Sequence, residues 1–238
     1  MGLYMKDVII IPTYNERQNI VPLIQEIFRV VPGVFVLVVD DNSPDGTADA
    51  VRNMQEAFPN VQLLVREKKE GLGKAYIHAF RVALADENVR SIITMDADFS
   101  HQPRYLPELL TASEKRDVVI GSRYVRGGGV EGWEAWRRVL SICANIYCRL
   151  ITRMPIFDCT GGFNVIRTSF LRKIDFAGMD SSGYAFLQEL KYMLHRAGAT
   201  FTEVPIVFKN RVMGESKITS HIMREGVVAP WKMIFRMR

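Results

Sequence analysis

Four consecutive β-branched residues, Val8-Ile9-Ile10-Ile11, begin the hydrophobic pattern. An unbroken run of this kind suits a strand covered on both faces, as in a parallel sheet. Behind it, Ile20, Leu23, Ile24, Ile27, Phe28 and Val31 recur at helical spacing and predict a helix over 15–31. The alternation continues, with strands predicted at 34–39, 61–65, 91–95 and 118–120 and helices over 47–58, 73–85 and 103–115. Strands alternating with helices imply right-handed βαβ units wound into one α/β sheet. Ligands of such sheets sit at the carboxyl ends of the strands, so the residues just after each strand are where chemistry is sought. Beyond residue 121 the pattern loosens. Residues 126–129 read as a loop, 136–151 as a helix, 160–166 as extended, 184–196 as a helix and 200–208 as extended again. A helix over 221–238, interrupted at Pro230, closes the chain. There is no internal repeat, linker or low-complexity tract, and a single domain over 1–238 is expected.

Composition narrows the class. With 48% hydrophobic and 24% charged residues, the chain can bury a sizeable core, which excludes a disordered or collagen-like protein. The balance of 31 Lys and Arg against 26 Asp and Glu gives a net charge of +5. That excess suits an anionic ligand or a membrane surface and is too small for a nucleic-acid binder, so no nucleic-acid partner is expected. Cys143, Cys148 and Cys159 are odd in number and form no Cys-x-x-Cys pair, which points to a reduced, intracellular setting. The first apolar run follows Lys6-Asp7 and stops at Pro12, unlike a secretory signal. The longest apolar stretch, 139–148, is bounded by Arg138 and Arg149 and is about half the roughly 18 residues a spanning helix needs. The protein is not expected to be integral to a membrane.

The strand ends are acidic. The second strand runs into Asp40-Asp41 and the fourth into Asp96-Ala97-Asp98. A carboxylate after a strand is ordinarily a helix cap or turn residue, and Asp40 and Asp45 fit that role. Two such clusters, both at the carboxyl ends of parallel strands, are harder to assign to turns alone; like charges packed together repel, and a divalent cation is the usual remedy. Asp-x-Asp suits an oxygen-preferring ion such as Mg²⁺ or Mn²⁺ held together with a diphosphate. Other motifs fail. Gly71-Leu72-Gly73-Lys74 lacks the remainder of a phosphate loop, no G-x-G-x-x-G follows the first strand, and no Gly-x-Ser-x-Gly elbow occurs. The segment 66–70 reads as a solvated turn. The four histidines lack metal-ligand spacing, and His101, nearest the acidic cluster, reads as a loop residue.

Pro12-Thr13-Tyr14-Asn15-Glu16, the stretch from Asp40 to Thr47 (DDNSPDGT) and Asp96-Ala97-Asp98 together resemble the family 2 glycosyltransferases. Further motifs are similar to the dolichyl-phosphate mannosyltransferase (polyprenol monophosphomannose synthase) branch of that family. These are Gly71-Leu72-Gly73-Lys74-Ala75-Tyr76, Gly121-Ser122-Arg123-Tyr124, Gly132-Trp133 with Arg137 and Ser141, and Arg211 followed by Gly214-Glu215-Ser216-Lys217. The resemblance covers about residues 7–220. It implies the A-type glycosyltransferase fold, a Rossmann-like, doubly wound, mostly parallel α/β sheet. A nucleotide-sugar-binding part is expected over about 7–122, an acceptor-binding part over about 123–220 and a C-terminal amphipathic helix over 221–238. By the same resemblance, Pro12, Tyr14, Glu16, Val39 and Asp41 line the nucleoside pocket. Asp96, Ala97 and Asp98 meet the donor diphosphate, with Asp98 the main metal ligand and Asp96 beside it. Ser100 stands where some relatives carry a metal-touching Gln and is expected to reach the metal through water. Arg123, Arg211 and Lys217 fit the donor phosphates, while Arg123, Arg137 and Ser141 clamp the acceptor phosphate.

The implied reaction carries mannose from GDP-mannose to a polyprenyl (dolichyl) phosphate, assisted by Mg²⁺ or Mn²⁺, with Asp98 and Arg123 as the central catalytic residues. Two alternatives stay open: a polyprenyl-phosphate glucosyltransferase using UDP-glucose, and a nucleotide-sugar-binding subunit that depends on partners. Some relatives carry spanning helices after the catalytic domain and others are anchored by small membrane subunits. A chain ending at Arg238 is expected to be of the second kind or freely peripheral. The expected location is the cytoplasmic side of a membrane, endoplasmic reticulum in a eukaryote and plasma membrane in a prokaryote. Residues 136–151 and the tail 231–238 mix bulky apolar and basic side chains as interfacial helices do.

Overall fold

In the computed structural model, residues 5–179, 185–210 and 220–236 are described. Strand β1 (Lys6–Thr13) leads through α1 (Arg17–Val30) to β2 (Phe35–Asp40). The chain continues through α2 (Thr47–Gln55), β3 (Val61–Val65), α3 (Leu72–Leu84) and β4 (Val89–Thr94). A 3₁₀ turn then opens α4 (Leu106–Ser113), followed by β5 (Val118–Ser122), β6 (Gly129–Glu131) and α5 (Ala135–Thr152). Strand β7 (Asn164–Arg167), the single-turn α6 (Thr168–Leu171), α7 (Ala185–Arg196), β8 (Phe201–Pro205), β9 (Val207–Lys209) and α8 (Ser220–Arg236) complete the order.

Seven strands form the main sheet in the order β3-β2-β1-β4-β7-β5-β8. Only β7 runs antiparallel, between β4 and β5. The apolar run of β1 explains the two-layer packing. Val8 and Ile10 face a core built with Tyr76 and Phe80 of α3 and Phe186 and Leu190 of α7. Ile9 and Ile11 face the opposite core, against Ile20, Leu23 and Ile24 of α1 and Leu106 of α4. The chain winds outward from β1 to β3 and then returns to place β4 on the other side of β1. The crevice at that switch point opens at the carboxyl ends of β1 and β4, the place where such sheets bind ligands.

The structure departs from expectation in four places. The helix expected over 103–115 is shorter, because its first turn is 3₁₀ at Pro103–Tyr105. Gly129, placed in a loop by composition, starts β6 and pairs with Val207 of β9. The neighbouring Gly128 is needed by close approach, since a Cβ there would lie 2.5 Å from the Ser122 carbonyl. The extended stretch 200–208 breaks at Ile206, whose N–H bonds to the Ser122 carbonyl, so β8 stays in the main sheet while β9 leaves it. Helix α8 runs through Pro230 without interruption. Proline removes one helical hydrogen bond, but Ala229 and Met233 on either side are both buried in the core, which holds the two halves in line.

Candidate active site

The loops after β1 and β2 interlock through side chains. Asp40 is fully buried, accepting from the Thr13 hydroxyl at 2.9 Å and from the Ser43 hydroxyl at 2.6 Å and amide at 2.8 Å. Asp45 accepts from the Thr47 amide at 2.9 Å and the Arg17 amide at 3.1 Å, so it caps the starts of α2 and α1 together. Both are the turn and cap residues expected of carboxylates after a strand.

Asp41 is different. It is buried against Arg66, whose Nη1 lies 2.6 Å from its Oδ1, and Arg66 Nη2 reaches Glu70 at 3.1 Å. Burial raises the pKa of Asp41 while the Arg66 charge opposes that shift. The reading of 66–70 as a solvated turn is therefore corrected at its first residue: Arg66 is buried and fixes Asp41, while 67–70 are exposed. Tyr14 is exposed, with the Lys69 ammonium 3.7 Å from its ring centroid, and Glu16 accepts from Asn19 at 2.8 Å. Pro12 is half-buried at the same strand end. Val39 and Ala97 turn their side chains into the core, which leaves only their main chains for a ligand.

After β4, the Asp96 amide donates to His101 Nδ1 at 3.0 Å. Nδ1 is thus the acceptor and the ring proton sits on Nε2. His101 is buried, stacked on Phe163 at 5.1 Å, and burial lowers its pKa. It is a supporting residue rather than a plain loop residue. Its only sequence signal is its place five residues after Asp96. Asp98 is buried and its Oδ1 accepts from the Ser100 amide at 3.0 Å across Phe99, which adopts φ 61°. The Ser100 hydroxyl is buried and has no hydrogen-bond partner among the described residues.

No cluster of three His, Cys, Asp or Glu side chains that could hold a metal occurs among the described residues. Two carboxylates and an orphan hydroxyl are a hard-oxygen set that fits Mg²⁺ or Mn²⁺, ions whose remaining positions are filled by water and diphosphate oxygens.

Arg123, just past β5, is buried in a fork with Asp158, Nε to Oδ2 at 2.8 Å and Nη2 to Oδ1 at 2.7 Å. Nη2 also donates to the Thr160 hydroxyl at 2.6 Å. Burial alone would lower the Arg123 pKa and raise that of Asp158, but their mutual charge and hydrogen bonds win. Arg123 lies well above its ordinary value and Asp158 well below the usual carboxylate range. Aromatic rings frame the guanidinium, with the Tyr124, Trp133 and Phe208 centroids at 5.1, 5.7 and 5.6 Å. Arg137 of α5 stacks over Trp133 at 4.2 Å, and Ser141, one turn on, accepts from the Tyr124 hydroxyl at 2.6 Å. Phe208 meets both His101 and Trp133 edge-on, so one ring joins the carboxylate end of the site to the arginine end.

The structure thus brings Pro12, Tyr14, Glu16 and Asp41, the Asp96–Ser100 turn, Arg123, Arg137 and Ser141 to one end of the sheet. Arg211 and Lys217 lie outside the described residues. Asp158, Thr160 and Lys191 join the site unannounced by any motif.

Glycosyl transferase family 2 matches residues 8–175 of this chain. The chain belongs to that family. An undecaprenyl-phosphate mannosyltransferase from Micrococcus luteus is 41% identical over 224 residues, covering 94% of this chain and 92% of the relative. A polyprenol monophosphomannose synthase from Mycolicibacterium smegmatis is 41% identical over 231 residues, covering 95% and 86%. Among solved structures, a mannosyltransferase from Pyrobaculum calidifontis in complex with GDP-Man and Mn²⁺ superposes with a TM-score of 0.61 at 20% identity, over 97% of this chain and 64% of that one. The mannosyl-3-phosphoglycerate synthase of Rubrobacter xylanophilus gives 0.68 at 18% identity, over 98% and 74%. At those identities the likeness is one of fold, and it places this family 2 glycosyltransferase among A-type folds.

Proposed function

We propose that this glycosyltransferase moves mannose from GDP-mannose to a polyprenyl phosphate with inversion, giving polyprenyl β-mannosyl phosphate and GDP. The observation that carries the reading is the joining of the Asp96–Asp98 turn and the Arg123–Arg137 cluster at one strand-end crevice beside a helix with an exposed apolar face. The names of the two near relatives support mannose and a polyprenyl phosphate. Asp41, held by Arg66, together with Tyr14 and Glu16, would take up the nucleoside. Asp98, with Asp96 and Ser100, would hold the divalent ion, whose charge when bound offsets that of the departing diphosphate.

The acceptor is a phosphate monoester with a second pKa of about 6, so its oxygen arrives ionised and no strong base is required. The harder task is bringing two anions together. Arg123 and Arg137 would neutralise the acceptor and hold its oxygen in line with the anomeric carbon. As that oxygen forms its bond to the anomeric carbon, the bond to the GDP phosphate breaks and its electron pair leaves with GDP. Arg211 and Lys217 are proposed to add positive charge over the diphosphate.

The acceptor's lipid nature suits the outer faces of α5 and α8. No helix among the described residues is long and apolar enough to cross a membrane. Yet Trp136, Val139, Ile146 and Leu150 stay exposed at helical spacing on α5, and Val227, Val228, Trp231 and Phe235 stay exposed on α8. Tyr147 ties the two helices together, donating to the Val227 carbonyl at 2.9 Å and accepting from the Trp231 indole at 2.8 Å. With exposed Arg138, Arg153 and Lys232 on the same elements, this is the composition of a bilayer-facing surface. The experiment uses anionic vesicles carrying polyprenyl phosphate. The protein alone is expected to co-sediment and to load them with label from GDP-mannose. Replacing Trp231 and Phe235 with Ser together should lower the bound fraction about tenfold. Failure of the unmodified protein to co-sediment would contradict the membrane reading, and binding without labelled lipid would contradict the acceptor.

A further inference from the structure

Lys191 is an odd residue for its place. It sits on α7 among Phe186, Leu190 and Leu194 in the core, and only 1% of it is exposed. A buried ammonium is costly unless its hydrogens are satisfied. Here each has a partner: Nζ lies 2.7 Å from the Gly161 carbonyl, 3.1 Å from that of Asp158 and 3.3 Å from that of Cys159.

Those carbonyls belong to an irregular segment held almost wholly by side chains. The Phe157 and Asp158 amides donate to Glu203 at 2.7 and 2.9 Å. The Cys159 and Thr160 amides donate to Asn145 Oδ1 at 2.8 and 3.2 Å, and the Gly161 amide to Asp158 Oδ1 at 2.8 Å. Three side chains thus take the N–H groups and one ammonium takes the carbonyls. The result is a fixed Asp158 carboxylate that grips Arg123 by its amide, Nε and Nη2. The segment then passes Asp96, where a Cβ added at Gly162 would lie 3.1 Å from His101 Cε1 and 3.8 Å from Asp96 Oδ1. Two cations, Arg123 and Lys191, and two carboxylates, Asp158 and Glu203, thus meet on this one segment beside the site.

We propose that Lys191 is a positioning residue for sugar transfer: it ties down the 158–161 segment so that Asp158 aims the Arg123 guanidinium at the substrate phosphates. The proposal rests on the reading of Arg123 as a phosphate-binding residue, and it makes Lys191 act through Arg123 without touching substrate.

The test measures transfer kinetics and GDP affinity for the unmodified enzyme, Lys191→Met, Arg123→Met and the double variant. Methionine keeps the length of the lysine stem and removes its donors and charge. Lys191→Met is expected to lower kcat by at least about thirtyfold while the KM for GDP-mannose and the calorimetric affinity for GDP stay within about threefold, because the lost element is aimed charge at the reacting phosphates. The double variant should be no slower than Arg123→Met alone, since two residues that act as one unit are not additive. A kcat for Lys191→Met within threefold of the unmodified enzyme overturns the proposal, as does full additivity with Arg123→Met. If Lys191→Met does not fold, Asp158→Asn takes its place. That variant leaves the lysine and its three carbonyls intact and weakens the link to Arg123, and unchanged kcat there also overturns the proposal. An unmodified enzyme that binds GDP but transfers nothing would instead count against the functional reading itself.

Discussion

Replacing Asp98 with Asn is expected to lower mannose transfer by about a thousandfold or more, the scale of losing a centre that stabilises charge in the transition state. The fold should survive. Asn keeps the side-chain oxygen that accepts from the Ser100 amide at 3.0 Å, and asparagine is at home in the turn that carries Phe99 at φ 61°. That tolerance makes the variant decisive. If Asp98 were only a turn residue, Asn would serve equally well and turnover would be near normal. If its charge holds the metal, turnover disappears while the melting temperature stays within about 2 °C, since a substitution that keeps the local hydrogen bond has little effect on stability. Thermal melts alongside transfer kinetics separate the two.

Asp158→Ala is expected to damage stability as well as activity. Asp158 is fully buried, and its removal strands Arg123 inside the protein without its counter-charge and takes a nearby negative charge from Lys191. Breaking a buried pair from one side costs about 3–5 kcal/mol. For a chain of this size that corresponds to a fall of about 6–20 °C in Tm. A pH dependence follows. The Asp158 pKa is depressed in the folded state, because Arg123 outweighs burial. Its contribution is therefore fully present above the ordinary carboxylate pKa of about 4 and is lost as pH falls towards the folded value. The unmodified protein should lose stability on acidification more steeply than Asp158→Ala, so that the two melting curves converge at low pH. A variant melting within 2 °C of the unmodified protein at neutral pH would contradict this account.

The residues that were legible in the sequence and those that were not divide along a physical line. The run Val8 to Ile11 announces a strand covered on both faces because every side chain is apolar, and the structure covers both faces. Asp40 and Asp45 read as turn and cap residues because each has a local partner, the Ser43 amide three residues on and the Thr47 amide two residues on. Strand ends with Asp96 and Asp98 were readable because a doubly wound sheet puts its chemistry there whatever the side-chain details. The misses are polar residues whose role is set by distant partners. Arg66 looked like one charge in a solvated turn, yet it meets Asp41 25 positions away. Lys191 falls inside the helix predicted over 184–196, and only the folded 158–161 segment shows what its ammonium meets. Asp158 falls between the helix predicted over 136–151 and the extended stretch over 160–166, with Arg123 35 positions away. No local pattern reports such a pairing. At Pro230 the reverse holds: the local rule predicts a break, and tertiary packing on both sides of it keeps the helix whole.

The most direct test of the whole account runs labelled GDP-mannose and UDP-glucose side by side with a polyprenyl phosphate and Mg²⁺ or Mn²⁺, and counts label in the organic phase. Label is expected from GDP-mannose alone, carried as a β-mannosyl phosphate and lost when the divalent ion is chelated. Label from UDP-glucose alone would contradict the donor assignment, and an α-linked product would contradict the single inverting displacement.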